Sequence, residues 1–102
     1  MNKARRKEIE TLLASVRAAH AVIESGAATL SSLGDELDQI VTAEQDALDA
    51  LPEAMQAGEK GEKMQTAIDS LESVADLIRS LCDSIDEFSV DEVEGACQTA
   101  AE

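Results

Sequence analysis

The sequence predicts an all-α fold: a long antiparallel helical hairpin, coiled-coil-like, with a short C-terminal third helix, assembled as a helical bundle. Three observations predict it. Apolar residues recur at alternating threes and fours over most of the chain, which is the step of one helix face. The only proline, Pro52, stands in the middle with two of the five glycines, Gly58 and Gly61. Phe88 is the only aromatic residue. Leu, Ile, Val and Ala must therefore supply the core, a mix that suits helix seams better than a sandwich or barrel. The 102 residues make one domain, near the lower end of what holds its own core.

The first element is a helix over about 4–51. Ile9, Leu12, Val16, Ala19, Ile23, Gly26, Leu30, Leu33, Leu37, Ile40, Glu44, Ala47 and Leu51 keep a heptad in phase. Gly26 and Gly34 each cost ~1 kcal/mol relative to alanine. The phase passes through both unchanged, which favours one long helix of roughly 70 Å over two shorter ones. Leu13, Val41 and Leu48 widen the stripe on one flank.

The second helix, over about 62–88, repeats the pattern with Met64, Ala67, Leu71, Val74, Ile78, Leu81, Ile85 and Phe88, widened by Ile68, Ala75 and Cys82. A two-stranded coiled coil needs only the narrow seam, so the extra positions point to three or more helices. At Phe88 the phase breaks. Ser89 and Glu92 then form a capping box, and a short helix over about 90–100 carries Val93 and Cys97 on a rotated stripe.

Between the long helices, residues 52–61 reverse the chain. Pro52 lacks an N–H and is tolerated only at a helix start. Gly58 and Gly61 are expected to take left-handed conformations at the ends of the flanking helices. Pairing Leu51 with Met64 sets Ile78 on Leu37, Arg79 beside Glu36, and Phe88 over the small Gly26 and Ala27. The second helix then reaches only about half of the first. Ile9, Leu12, Leu13, Val16 and Ile23 of the N-terminal arm are left as candidate self-association residues, and a homodimer or higher homo-oligomer is expected.

The net charge is −14, unevenly spread. Residues 1–25 hold Lys3, Arg5, Arg6, Lys7 and Arg17, whereas the rest of the chain is strongly acidic. Such a body repels nucleic acid and anionic membranes, so direct nucleic-acid binding is not expected and a basic protein partner is. The basic run Lys3–Lys7 has no aromatic neighbours to stack bases. No apolar run reaches ~18 residues, so no membrane span is expected. Glu8 and Glu10 stand where a signal peptide would be apolar, which points to the cytoplasm.

No chemistry of catalysis stands out, and neither an enzyme, a cofactor nor a metal site is expected. His20 is the only histidine and flanks the seam, where packing is the plain reading. Cys82 and Cys97 fit no metal-ligand spacing. Residues 83–94 are acid-rich but lack the glycine and spacing of a calcium loop. Gly58 and Gly61 lack the ending of a phosphate-binding loop.

One charged pattern does bear on function. Asp69, Asp76 and Asp83 recur every seven residues, with Glu72, Asp86 and Glu87 nearby. A rigid row of carboxylates ~10.5 Å apart can imitate a phosphate backbone and occupy a basic groove. The plain alternative is a solvated helix face.

The central third, Glu44-Gln45 through Asp49, Leu51-Pro52-Glu53 and Gln56, then Gly61-Glu62, Met64, Ala67-Ile68 and Leu71-Glu72, resembles a group of short, acidic, helical bacteriophage and prophage proteins. Their shared pattern is E-Q-x-x-x-D-x-L-P-E-x-x-Q followed by G-E-x-M-x-x-A-I-x-x-L-E. The resemblance covers roughly residues 44–72 and leaves arm and tail unmatched. It implies phage origin, hence a host-cell cytoplasm, and no particular activity. It also marks Pro52, Glu53, Gln56, Gly61 and Glu62 as candidate turn residues. A non-enzymatic phage accessory protein acting through protein contacts is the expectation; an assembly adaptor that bundles with a phage component is the alternative.

Overall fold

The computed structural model describes residues 2–102 as four helices and no strand. Helix α1 spans Lys3–Asp49, α2 Glu53–Gln56, α3 Glu59–Glu87 and α4 Val90–Ala101. Asn2 caps α1, its side-chain oxygen accepting from the Arg5 amide at 2.8 Å. The helix runs unbroken through Gly26 and Gly34. The hydroxyls of Thr11, Thr29 and Thr42 fold back onto the carbonyls four residues earlier, so they do not compete for the ladder's amides.

Beyond Asp49 the chain turns through one short helix. The Gln56 side-chain amide donates to the Asp49 and Leu51 carbonyls at 3.3 and 2.9 Å, satisfying acceptors that α1 leaves open at its end. Gln45 in turn donates to the Asp49 carboxylate at 2.9 Å. Helix α3 then starts three residues earlier than the pattern predicts, with Gly58 as its N-cap. The expected left-handed glycines are absent: no described residue has positive φ. Gly58 is extended, with φ −89° and ψ −174°. Gly61 lies inside the first turn of α3, buried. A Cβ on Gly61 would sit 2.0 Å from the Gln56 carbonyl oxygen and 2.7 Å from its Cα. Glycine is needed there for close approach between two backbones, not for handedness.

The register differs from the expected one by about a helical turn at its far end. Ile78 Cγ2 lies 3.5 Å from where a Cβ on Gly34 would be. The Cys82 thiol donates to the Ala27 carbonyl at 3.6 Å. Arg79 pairs with Asp38 rather than Glu36. Phe88 does not cover Gly26, which faces open space; its ring packs on His20, centroids 5.5 Å apart. The cause is a rotated seam. Leu48, Ile68 and Ala75, all flank positions in the sequence pattern, are the buried apolar residues, Ile68 at 1% exposure. Small flank residues (Ala27, Gly34, Gly61, Ala75) let the two backbones meet along that line, and large ones interleave with them.

Helix α4 continues the line of α3 along the arm of α1. Ser89 caps it, accepting from the Glu92 amide at 3.1 Å. Arg17 pairs with Glu94, and Arg6 donates to the Glu102 carbonyl at 3.4 Å. The arm is therefore not left over as a whole: Ile9, Leu13 and Val16 are half-buried beneath α4, while Leu12 and Ile23 stay exposed. The result is a rod two helices wide, with Cα extents of 77 × 16 × 15 Å.

Candidate interaction surface

The rod has two unlike sides. On one, the groove between α1 and α3 is lined by Asp38, Thr42, Glu72, Asp76 and Arg79, and farther along by Glu24, Ser31 and Asp86. Asp69, Asp76 and Asp83 stand beside that groove on α3, all exposed, as are Glu72, Asp86 and Glu87. The sequence-predicted acidic row is thus brought together on one side of one straight helix. Helical periodicity alone produces it, because a seven-residue repeat returns each Asp to nearly the same side of the helix.

Few cations neutralise this side. Arg79 bridges Asp38 and, at 3.4 Å, Asp76. Gln65 donates to Asp69 at 2.9 Å. Glu72, Asp83, Asp86 and Glu87 join no ion pair among the described residues. Two guanidinium groups are held above their ordinary pKa: Arg17 by its hydrogen bond and charge contact with Glu94, and Arg79 by the same two contacts with Asp38. A raised arginine pKa adds stability that is complete below the unfolded value and is lost only above the folded one. Both pairs therefore persist through neutral and mildly alkaline solution.

The opposite side carries apolar residues that the sequence pattern assigns to the buried seam. Leu12, Leu33 and Ile40 on α1 and Val74, Leu81 and Phe88 on α3 were seam positions in the sequence pattern and are exposed here, Leu12 at 59% and Ile40 at 55%. At the arm end Ala19, Ile23, Ser84 and Phe88 line a shallow apolar groove with His20 at its edge, which places both rows on the same side. His20 Nδ1 sits 3.0 Å from a Glu24 carboxylate oxygen and its ring leans on Phe88.

Of the turn candidates, Pro52, Gln56 and Gly61 build the reversal itself. The Pro52 carbonyl accepts from Met55 and Gln56 amides, Gln56 closes α1, and Gly61 admits the Gln56 backbone. Glu53 and Glu62 are exposed and act there only through their backbones, Glu62 donating to the Gly58 carbonyl. Six of the fourteen letters of the phage-like pattern, Gln45, Asp49, Leu51, Pro52, Gln56 and Gly61, take part in the turn's wiring.

Among the described residues no group of three or more His, Cys, Asp and Glu is placed to hold a metal ion, and no helix is long and apolar enough to cross a membrane. Cys82 and Cys97 are free, half-buried thiols. Comparison with protein-family models, curated proteins and solved structures finds no match.

Proposed function

We propose that this chain is a non-enzymatic protein that works through protein–protein contacts, with the acidic side of α3 as its binding face for a basic partner. The observation that carries the reading is the row Asp69, Asp76 and Asp83, rigid on one helix and exposed, with Glu72, Asp86 and Glu87 unneutralised beside it. Such a row offers a basic groove regularly spaced negative charge, the sign of a phosphate backbone. The partner is a host or defence protein that ordinarily holds nucleic acid, and occupancy by the rod inhibits it. Phage origin, and with it action in the host cytoplasm, rests on the resemblance of residues 44–72 alone.

The test is competition. The rod should displace a DNA or RNA duplex from a captured basic partner. Asp69, Asp76 and Asp83 changed together to Asn should abolish displacement with the helical content intact. If the triple variant displaces nucleic acid as well as the parent, the row is a solvated face and the reading falls.

A second reading is favoured by a separate observation, the exposed apolar rows opposite the acids. On that reading the chain is an adaptor that self-associates and bundles with other helices of its assembly.

A further inference from the structure

The side of the rod opposite the acidic row is almost free of charge. Take the row Leu12, Leu33, Ile40 of α1 with the row beside it that holds Val22, and follow both from Leu12 to Ala50. All twelve positions are exposed and one is charged, Glu36. The matching seven positions from Ala67 on α3 to its C-cap Phe88 are exposed and carry no charge; charges return on these rows only toward the rod's ends, as Arg5 and Glu8 on α1 and Lys60 and Lys63 on α3. They include Leu77, at 70% exposure, and Leu81. In a chain that is 29% charged, a face meant for water would hold about five charges at random, and more once the buried seam is set aside. This side is built to be covered.

Its extent says how much is missing. The rod exposes 7279 Å², whereas a compact monomer of this mass exposes about 5,500 Å². The excess of roughly 1,700 Å² is about twice what one partner contributes to a standard interface, ~800 Å². Only three apolar residues are buried within the single chain. A second copy brings a face of equal length and equal apolarity, and the acids of both copies stay outward on the far sides.

Charge fixes the direction. One end of the rod bears Lys3, Arg5, Arg6 and Lys7 against Glu8, Glu10 and Glu102, a small positive excess; the other bears Asp46, Asp49, Glu53, Glu59 and Glu62 against Lys60 and Lys63, a negative one, all exposed. Parallel copies would lay acid on acid at the turn end. Antiparallel copies lay each basic arm beside the other's acidic turn, an arrangement with two-fold symmetry.

We infer that two copies pair antiparallel through these uncharged sides, forming a four-helix bundle with an acidic groove on each outer face. The pairing deepens the self-association reading and rests on it. It does not depend on whether the acidic row binds a partner.

Light scattering and zero-length carbodiimide crosslinking test it together. At micromolar concentration the mass should be twice 10.8 kDa. Ile40→Glu combined with Leu81→Glu should bring it to one chain, and the triple Asn variant of the acidic row should leave it doubled. Crosslinked peptides should join Lys3 or Lys7 to carboxylates of residues 46–62. Those groups lie at opposite ends of a 77 Å rod, so such a bond can form only between copies; with a mass limited to two chains and both arm-to-turn joints present it reads the antiparallel pairing even if the Glu variant fails to fold. A helical monomer overturns self-association and this pairing alike. A dimer without arm-to-turn crosslinks, or one indifferent to both Glu substitutions, overturns the pairing alone.

Discussion

Gly61→Ala tests how the turn is built. The new Cβ would lie 2.0, 2.5 and 2.7 Å from the carbonyl oxygen, carbonyl carbon and Cα of Gln56. Ordinary contact begins at 3.4 Å, so α2 must retreat from α3 by about 1.4 Å, beyond what bond-angle give alone can absorb. The obstacle is backbone, and no rotamer change relieves it. Overpacking of this kind costs ~1–3 kcal/mol. Moving α2 also strains the Gln56 hydrogen bonds to Asp49 and Leu51, worth about 0.5–1.5 kcal/mol each. Against this, alanine returns at most ~1 kcal/mol of helix preference. The expected net loss is about 1–3 kcal/mol, or a melting temperature lower by ~4–8 °C per kcal/mol for a chain of this size. Gly95→Ala is the control. Its Cβ meets nothing within 4 Å, and α4 should gain ~0.5–1 kcal/mol. Thermal denaturation followed by circular dichroism at one fixed protein concentration reads both. A Gly61→Ala chain that melts at or above the parent would show that α2 does not pack on α3 as described.

Three further substitutions probe other parts of the rod. Ile68→Ala removes the most buried side chain and should cost ~2–5 kcal/mol in chemical denaturation; a loss below 0.5 kcal/mol, roughly a surface effect, would mean the seam lies elsewhere. Ser89→Ala removes the cap that accepts from Glu92 and should cost about 1 kcal/mol. Hydrogen exchange should then quicken in α4 while α3 keeps its protection, and uniform change across both helices would contradict their separate capping. Gln56→Ala should lower stability by ~0.5–1.5 kcal/mol without rescuing Gly61→Ala, since the clash is with atoms that alanine keeps; rescue in the double variant would place the conflict on the side chain instead.

The elements were legible because helical period and capping are local. Continuity of α1 through Gly26 and Gly34, the chain reversal that begins at Pro52, and the Ser89 start of α4 all follow from spacing and cap chemistry. The choice of seam did not. Leu33 and Ile40 on one row, and Val41 and Leu48 on the adjacent flank, are equally apolar, so periodicity cannot say which row meets the partner helix. Small residues decide it. Gly34, Gly61 and Ala75 stand buried where the backbones meet along the flank, and the register then slips from the one that pairs Leu51 with Met64. The slip moves Phe88 off Gly26 onto His20. It also carries α4 down the arm, burying part of a stripe that the sequence leaves open. Gly61 was legible as a turn residue but for the wrong reason: a short contact to another backbone leaves no signal in the sequence distinct from that of a left-handed glycine. The acidic row was fully legible, since a heptad repeat of Asp on a long helix can point only one way.

Small-angle X-ray scattering tests the central claim most directly, that the rod's uncharged side is covered by a second copy laid alongside it. One chain has a Cα radius of gyration of 23.0 Å and a length of 77 Å. Two rods side by side, layers ~10 Å apart, should double the mass while the radius of gyration rises only to about 23.5 Å and the maximum dimension stays near that of one rod. Doubled mass with a radius of gyration on the order of 44 Å would mean end-to-end association, since two 77 Å rods in line have centres that far apart. That result, or single-chain mass in a folded sample, would contradict the account.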